Sequence, residues 1–175
     1  MKKIDTHQHL LYPSVFRYPW TQDLPDLQGD FHLKDYRAAA ANCDIQKTLF
    51  MEVDVDPGQT SSEAKFFYQL ATDPANQIGG VIAKALPEKS DFESQLEALT
   101  NPLLKGIRRV LHTQPDEISQ SETFRANVAI LAKHDLSFDL CVTQKQLQIG
   151  LGLAQACPEV RFILDHCGVP SITEH

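Results

Sequence analysis

Two histidines lie two positions apart near the beginning of the chain, in the stretch 4–10, IDTHQHL. The stretch favours a β-strand, and residues i and i+2 of a strand project to the same face. His7 and His9 are therefore expected to lie side by side, with Asp5 behind them. Two imidazoles that face one space are the beginning of a divalent-metal site, or simply two polar side chains at a strand end.

A third histidine ends an apolar stretch much later in the chain, 160–166, VRFILDH. Strand alternation places Leu164 and His166 on one face and Asp165 on the other. If the His166 face looks inward, its imidazole can converge on the pair from the first strand. Three neutral imidazoles are a suitable ligand set for zinc or a related divalent ion. Such an ion lowers the pKa of bound water towards ~7 and so makes hydroxide available at neutral pH. His166 is also counted among the candidate catalytic residues.

An arginine pair in the stretch KGIRRVL offers a positive charge for a substrate. Arg108 and Arg109 point to opposite faces of a strand, and Gly106 shares the face of Arg108 and leaves room beneath it. A planar guanidinium can hold a carboxylate or polarise a carbonyl group. Arg108 is therefore predicted to contact the substrate and to take part in catalysis, with a structural salt bridge as the alternative.

Three more residues are candidates for substrate contacts. Glu52 lies near the end of the second predicted strand, and His112 follows the fourth. Trp20 lies on the long first loop, close to Tyr18. These two aromatic residues either wall a pocket or form a small hydrophobic cluster that pins the loop.

Strand-like and helix-like patterns alternate along the whole chain. The predicted strands are 4–9, 48–53, 78–83, 105–111, 136–142 and 160–166. A helix is predicted at 33–42, and capping boxes are predicted where Thr60 precedes Glu63 and where Ser90 precedes Glu93. Successive β–α steps predict an α/β fold with a parallel sheet and covering helices.

A (β/α)8 TIM barrel and a doubly wound open sheet both satisfy this pattern. The open dinucleotide-binding sheet needs a glycine-rich turn after its first strand, and His7-Gln8-His9 stands there instead. The barrel is therefore favoured, with only its first six β/α units present. Residues 1–175 are predicted to form a single barrel domain that is incomplete at its C-terminus.

Composition and charge exclude some classes of binding partner. The net charge is −7 and no basic stripe is present, so no nucleic acid is expected as a partner. No apolar stretch approaches the roughly 18 to 20 residues of a membrane span, so no membrane partner is expected. The four cysteines form no CxxC pair, and no signal peptide is recognisable, which predicts a reduced, cytoplasmic setting. The sequence leaves the oligomeric state open.

The chain resembles the amidohydrolase superfamily, in particular the amidohydrolase-2 group of TIM-barrel metal-dependent hydrolases that includes sugar-acid lactonases. The resemblance rests on IDTHQHL followed by YPW, on KGIRRVLHTQPD, on LSFDLCVTQKQL and on VRFILDHCGVP. It implies a hydrolase that opens a lactone of a sugar acid or a related carboxylate-bearing cyclic ester.

The resemblance also implies where a metal is held. His7 and His9 would hold a divalent ion with help from His166, while Arg108 would contact the substrate. Zinc is the expected metal, and some lactonases of the group work without one. The group usually places an aspartate at the end of an eighth strand, which these residues do not contain.

Three alternatives to the lactonase are open. A decarboxylase of the same family would release carbon dioxide instead of opening a ring. A TatD-type nuclease also begins with a DTHxHL-like stretch, but KGIRR stands where its strand-four glutamate motif is expected, and the acidic balance disfavours DNA. A non-catalytic partial barrel would bind metal or ligand without turnover.

Overall fold

The computed structural model describes residues 2–172, which fall into two compact units. The first unit contains the chain up to Lys84 together with residues 101–104. The second contains residues 85–100 and the chain from Lys105 onwards. Each unit consists of parallel strands with helices between them, so the predicted α/β pattern is confirmed.

The first unit contains three parallel strands in chain order. They are β1 (Lys3–Gln8), β2 (Ile45–Met51) and β3 (Ile78–Lys84), and the helices between them are α1 (Leu33–Ala39) and α2 (Thr60–Leu70). Gln8 pairs with Phe50 across β1 and β2, and Phe50 pairs with Val81 across β2 and β3. Phe50 and Phe67 are fully buried and stack on each other, which fixes α2 on the strands.

The second unit repeats the same plan. Its elements are α3 (Phe92–Leu99), β4 (Leu104–Val110, of which all but Leu104 belong to this unit), α4 (Glu117–Gln120), α5 (Glu122–Ile130), β5 (Ser137–Cys141), α6 (Leu147–Ala156) and β6 (Arg161–Leu164). The three strands are parallel in chain order, with Arg108 opposite Asp139 across β4 and β5. Phe124 on α5 and Phe138 on β5 are fully buried and meet edge to face. Burial of such rings is the main favourable term that holds a helix on a sheet.

All six predicted strands are present, and the predicted boundaries differ from the observed ones by three residues at most. The two predicted capping boxes are wrong. α2 begins at Thr60 itself, so its N-cap residue is Gln59, which makes no side-chain cap, and Glu63 accepts the Val53 N–H in the core instead. The first turn of α3 begins after Asp91, also without a side-chain cap. A capping box does form at α1, between His32 and Asp35.

Two further properties concern the whole described chain. Within residues 2–172, no helix combines the length and the apolar character that a membrane crossing requires. The four cysteines are free; Cys141 and Cys157 are buried, whereas Cys43 and Cys167 are exposed. No disulfide therefore constrains the described part of the chain.

The close approach of β4 and β5 predicts a stability difference between two glycine substitutions. A Cβ at Gly106 would overlap Ser137 Oγ and lie 3.1 Å from Asp139 Oδ2, so Gly106→Ala is expected to destabilise the fold by about 1–3 kcal/mol. Gly152 on α6 has no neighbour within 4 Å of such a Cβ. Gly152→Ala is therefore expected to stabilise the helix by roughly 0.5–1 kcal/mol.

Urea unfolding followed by circular dichroism measures both changes against the parent protein. A midpoint for Gly106→Ala at or above that of Gly152→Ala would contradict the close packing of β4 on β5.

Candidate metal site

The two histidines of the first strand face each other where the strand ends. His7 lies within β1 and His9 follows its last residue, and their Nε2 atoms are 3.1 Å apart. The rings meet edge to face, with centroids 4.8 Å apart. Two zinc–imidazole bonds of about 2.0–2.1 Å each span a similar nitrogen–nitrogen distance. The imidazoles lie side by side as the strand pattern predicts, and the donor pair fits a divalent ion such as zinc.

The His9 ring is oriented by the neighbouring strand. Its Nδ1 lies 3.1 Å from the carbonyl oxygen of Met51, the last residue of β2. A carbonyl can only accept, so a proton on Nδ1 makes this hydrogen bond and leaves the lone pair on Nε2. A backbone carbonyl behind a histidine is a common way of fixing the tautomer that binds a metal. The parallel pairing of β1 and β2 thus prepares one ligand atom.

Asp5 supports the pair from behind rather than adding a ligand. Its Oδ1 accepts the backbone N–H of His7 at 3.0 Å, and its Oδ2 accepts the Tyr36 hydroxyl at 2.7 Å. Burial and this carboxylate together raise the pKa of Tyr36. Tyr36 belongs to α1, so the carboxylate ties the histidine-bearing strand to the first helix.

Glu52, predicted to contact a substrate, is fully buried directly after β2. Its Oε2 accepts the Asp54 N–H at 2.7 Å, and Glu63 Oε1 on α2 accepts the Val53 N–H at 3.2 Å. Burial, followed by the charge of Glu52, raises the pKa of Glu63 well above its ordinary value. These hydrogen bonds connect Glu52 and Glu63 to the backbone of the turn after β2. A substrate contact by Glu52 stays a prediction.

A buried lysine lies beside the carboxylates that follow β2. Lys84, the last residue of β3, pairs with Asp54 at 2.7 Å and donates to the Val55 carbonyl oxygen at 3.0 Å. Asp54 has a left-handed backbone, with φ of 49°. The lysine thus holds the turn after β2 in a conformation that a non-glycine residue rarely adopts.

Trp20 is held on the first loop by the same turn. Its indole Nε1 donates to the Val53 carbonyl oxygen at 2.9 Å, while 40% of the residue remains exposed. The Tyr18 hydroxyl is buried and accepts the Tyr12 N–H at 2.9 Å, and burial raises the pKa of Tyr18 to about 12. These hydrogen bonds hold the loop, and a substrate contact by Trp20 stays a prediction.

Arg108 forms the centre of a polar cluster in the second unit. Its Nε lies 2.7 Å from Asp165 Oδ2, with side chains 6% and 1% exposed, and its Nη2 donates to Cys141 Sγ at 3.1 Å. The exposed His112 lies with Nδ1 3.3 Å from the same sulfur. The fold thus brings Arg108 and His112 together through Cys141.

The adjacent arginine has a separate partner on the opposite face of β4. Arg109 Nη2 lies 2.7 Å from Glu88 Oε1, with side chains 10% and 16% exposed. The two arginines diverge as strand alternation predicts. Each of them forms an ion pair within the second unit.

A second carboxylate lies beside Arg108. Asp139 on β5 is buried, and its Oδ2 accepts the Ser137 hydroxyl at 3.1 Å. Burial and the neighbouring charge of Asp165 raise the pKa of Asp139 to about 7, although the hydroxyl and the guanidinium act in the opposite direction. One arginine therefore lies near two carboxylates, and the pKa of Asp139 is raised because that carboxylate is buried beside the other.

His166 lies on a left-handed turn rather than on a strand. β6 ends at Leu164, and φ is 50° at His166, 54° at Cys167, 75° at Gly168 and 46° at Val169. The non-glycine residues in this conformation cost about 1–3 kcal/mol each, so the surrounding contacts must hold them there.

The turn corrects one step of the sequence analysis. The strand face expected for Leu164 does not extend to His166, because alternation ends before the turn. Asp165, which alternation turned away from the site, instead reaches Arg108 in the second unit.

Sequence reasoning left three of these polar residues outside the site. Asp139 and Cys141 lie in the apolar stretch LSFDLCV, and Asp165 precedes the histidine in VRFILDH. A charged residue inside an apolar strand is costly unless it is paired. That cost was the available signal for Asp139 and Asp165, but it does not reveal the partner.

Comparisons with known proteins identify the family. A family model described as amidohydrolase matches residues 4–175. An L-fucono-1,5-lactonase from Burkholderia ambifaria is 29% identical over 176 residues, which are 97% of this chain and 58% of the relative. The chain belongs to the amidohydrolase family, and it spans about three fifths of the length of such relatives.

Solved structures agree on the fold. An amidohydrolase from Burkholderia multivorans with bound zinc has a TM-score of 0.85 at 22% identity, covering 99% of this chain and 61% of its own. A probable 2-pyrone-4,6-dicarboxylic acid hydrolase from Acinetobacter baumannii, with citric acid bound, has a TM-score of 0.72 at 14% identity, covering 96% and 59%. The fold class is that of a TIM barrel of which six β/α units are present, as predicted.

The buried carboxylates after β2 predict a pH dependence of stability. The pKa of Glu63 is raised on folding, so the folded state holds a proton that the unfolded chain releases near its ordinary value. The contribution of Glu63 to the free energy of unfolding is full below its ordinary pKa. It falls as pH rises, by up to about 1.4 kcal/mol per pH unit, until the pKa of Glu63 in the folded state is passed. Glu63→Gln, which stays neutral, is expected to flatten this fall.

Glu93→Gln is the matched control, because Glu93 is an exposed residue in the first turn of α3. Urea midpoints between pH 5 and pH 9 compare the two variants with the parent. Equal slopes for Glu63→Gln and the parent would show that Glu63 is not the titrating group.

Proposed function

We propose that the protein is a metal-assisted hydrolase that opens a lactone of a sugar acid or a related carboxylate-bearing cyclic ester. The observation that carries this proposal is the pair of imidazole nitrogens of His7 and His9, 3.1 Å apart, with the Met51 carbonyl behind one ring. Family membership supports hydrolysis, and the similarity to a protein named L-fucono-1,5-lactonase supports a lactone. The site is proposed to belong to one amidohydrolase-like barrel domain.

We assign the metal to His7, His9 and His166. The first two histidines present their nitrogens to one point, and His166 begins the exposed left-handed turn directly after Asp165. Zinc suits three imidazole ligands, and the similar structure from Burkholderia multivorans contains it. A zinc ion bound there would supply hydroxide at neutral pH.

The protein's own groups would then orient the substrate. Arg108 has a guanidinium suited to a carboxylate or to the negative charge that develops on a carbonyl oxygen, and His112 lies next to it through Cys141. Trp20 remains 40% exposed on the loop pinned by Val53, so its ring is proposed to wall the pocket.

The metal assignment predicts the result of removing one ligand. His9→Ala removes the imidazole that Met51 orients and is expected to weaken zinc binding by at least ~10-fold. His134→Ala is the matched control, because this histidine is exposed at the end of the turn that follows α5. Zinc content after dialysis, measured by atomic emission, compares the two variants with the parent protein.

The activity is tested with a panel of sugar-acid lactones and pyrone-type lactones. We expect ring opening by the zinc-loaded protein, loss of rate after chelation and recovery when zinc is returned. An unchanged rate after complete chelation would overturn the metal's role and leave a metal-independent lactonase.

Zinc binding without turnover of any lactone would overturn the hydrolase and support a binding protein. Release of carbon dioxide from a carboxylated ring, without ring opening, would replace the proposal with a decarboxylase.

A further inference from the structure

The turn that carries His166 is attached to the rest of the second unit by a buried ion pair. Asp165 is the first residue after β6, and its Oδ2 lies 2.7 Å from Arg108 Nε. Both side chains are almost completely buried, at 1% and 6% exposed. An ion pair excluded from water keeps its geometry far better than an exposed one, because leaving it would strand a buried charge.

His166 directly follows this ion-paired aspartate in the chain. The backbone from His166 to Val169 is left-handed at every residue, and a β-branched residue and two other non-glycine residues adopt this conformation only when neighbours impose it. Val169 N–H bonds the His166 carbonyl oxygen at 3.0 Å, which closes the turn on itself. Gly168 packs so closely on Leu147 that an added Cβ would lie 2.8 Å from Leu147 Cδ2.

Arg108 is itself fixed from two directions. It lies on β4 opposite Asp139 of β5, and its Nη2 donates to Cys141 Sγ at 3.1 Å. The guanidinium therefore connects the ends of β4 and β5 with the residue that follows β6. The ion pair with Arg108 therefore attaches the first residue after β6 to two hydrogen-bonded strands.

We propose that Asp165, held by Arg108, is a positioning residue that aims the His166 imidazole as a metal ligand. This rests on the proposed function, in which His166 completes the site of His7 and His9. Asp165 does not itself touch the metal or the substrate; it holds the strained turn at its first residue. Asp165 thus acts on His166 through the backbone of the turn, whereas the Met51 carbonyl lies against the His9 ring itself.

The test is the zinc affinity of Asp165→Asn, measured by competition with a chromophoric chelator. The amide keeps the shape of the side chain but loses its charge, so the affinity is expected to fall roughly 10- to 100-fold. Glu88→Gln is the matched control, because it breaks the neighbouring Arg109 ion pair on the opposite face of β4. Its zinc affinity is expected to equal that of the parent.

Cobalt(II) provides a readout that a loss of stability alone would not change. The visible absorption of bound cobalt reports the number and geometry of its ligands, and we expect Asp165→Asn at saturating cobalt to resemble His166→Ala. Arg108→Lys keeps the positive charge without the planar fork and is expected to lie between the parent and Arg108→Met in zinc affinity. This graded pair gives the answer even where Asp165→Asn fails to fold.

Two results separate this proposal from the one beneath it. Parental zinc affinity in Asp165→Asn, combined with weakened binding in His166→Ala, would overturn the positioning role and leave the metal site intact. Parental affinity in His166→Ala would overturn the three-histidine site itself. In the double variant Asp165→Asn with Arg108→Met, the loss of zinc affinity is expected to be no larger than the larger of the two single losses, since the two residues act as one unit.

Discussion

The parallel direction of consecutive strands is the constraint on which the polar arrangement of this protein depends. Parallel neighbours bring their carboxyl ends to the same edge, so residues far apart in sequence meet there. In the first unit this places His9 against the carbonyl of Met51, 42 residues away. In the second it places Arg108 next to Cys141, 33 residues away. The helices cover the strands, and the apolar burial between them stabilises the strand arrangement that brings these residues together.

Buried charge is handled differently in the two units. The first contains a lysine paired with Asp54 and a glutamate whose protonated form burial favours, Glu63. The second contains Arg108 between Asp165 and Asp139. In both cases a charge that would be costly alone has a partner at hydrogen-bond distance or gives up its charge. Such groups contribute little net stability, but they define the geometry of the turns that follow the strands.

Local sequence patterns were reliable for strands and less so for the polar residues at their ends. The strand patterns agree with the six observed segments. β3, β4 and β5 are also largely buried, whereas most residues of β1 and β6 are exposed or half-buried. The capping boxes predicted at Thr60 and Ser90 did not form, because the residues that precede α2 and α3 are Gln59 and Asp91. At α2 the glutamate of the expected box, Glu63, turns into the core and accepts the Val53 N–H. A short-range signal cannot decide between a helix end and a partner ten residues earlier in the chain.

The sequence by itself determined the alternation of strands and helices and the side-by-side placement of His7 and His9, since each follows from periodicity within a few residues. The barrel class rested instead on the absence of a glycine-rich turn after the first strand and on the family resemblance. The tertiary structure alone decided the direction of Asp165. Strand alternation ends at Leu164, and the left-handed turn beyond it is held by a guanidinium 57 positions earlier in the chain. Local preference is fixed by sterics between neighbouring residues, whereas a strained turn exists only where distant contacts outweigh its cost.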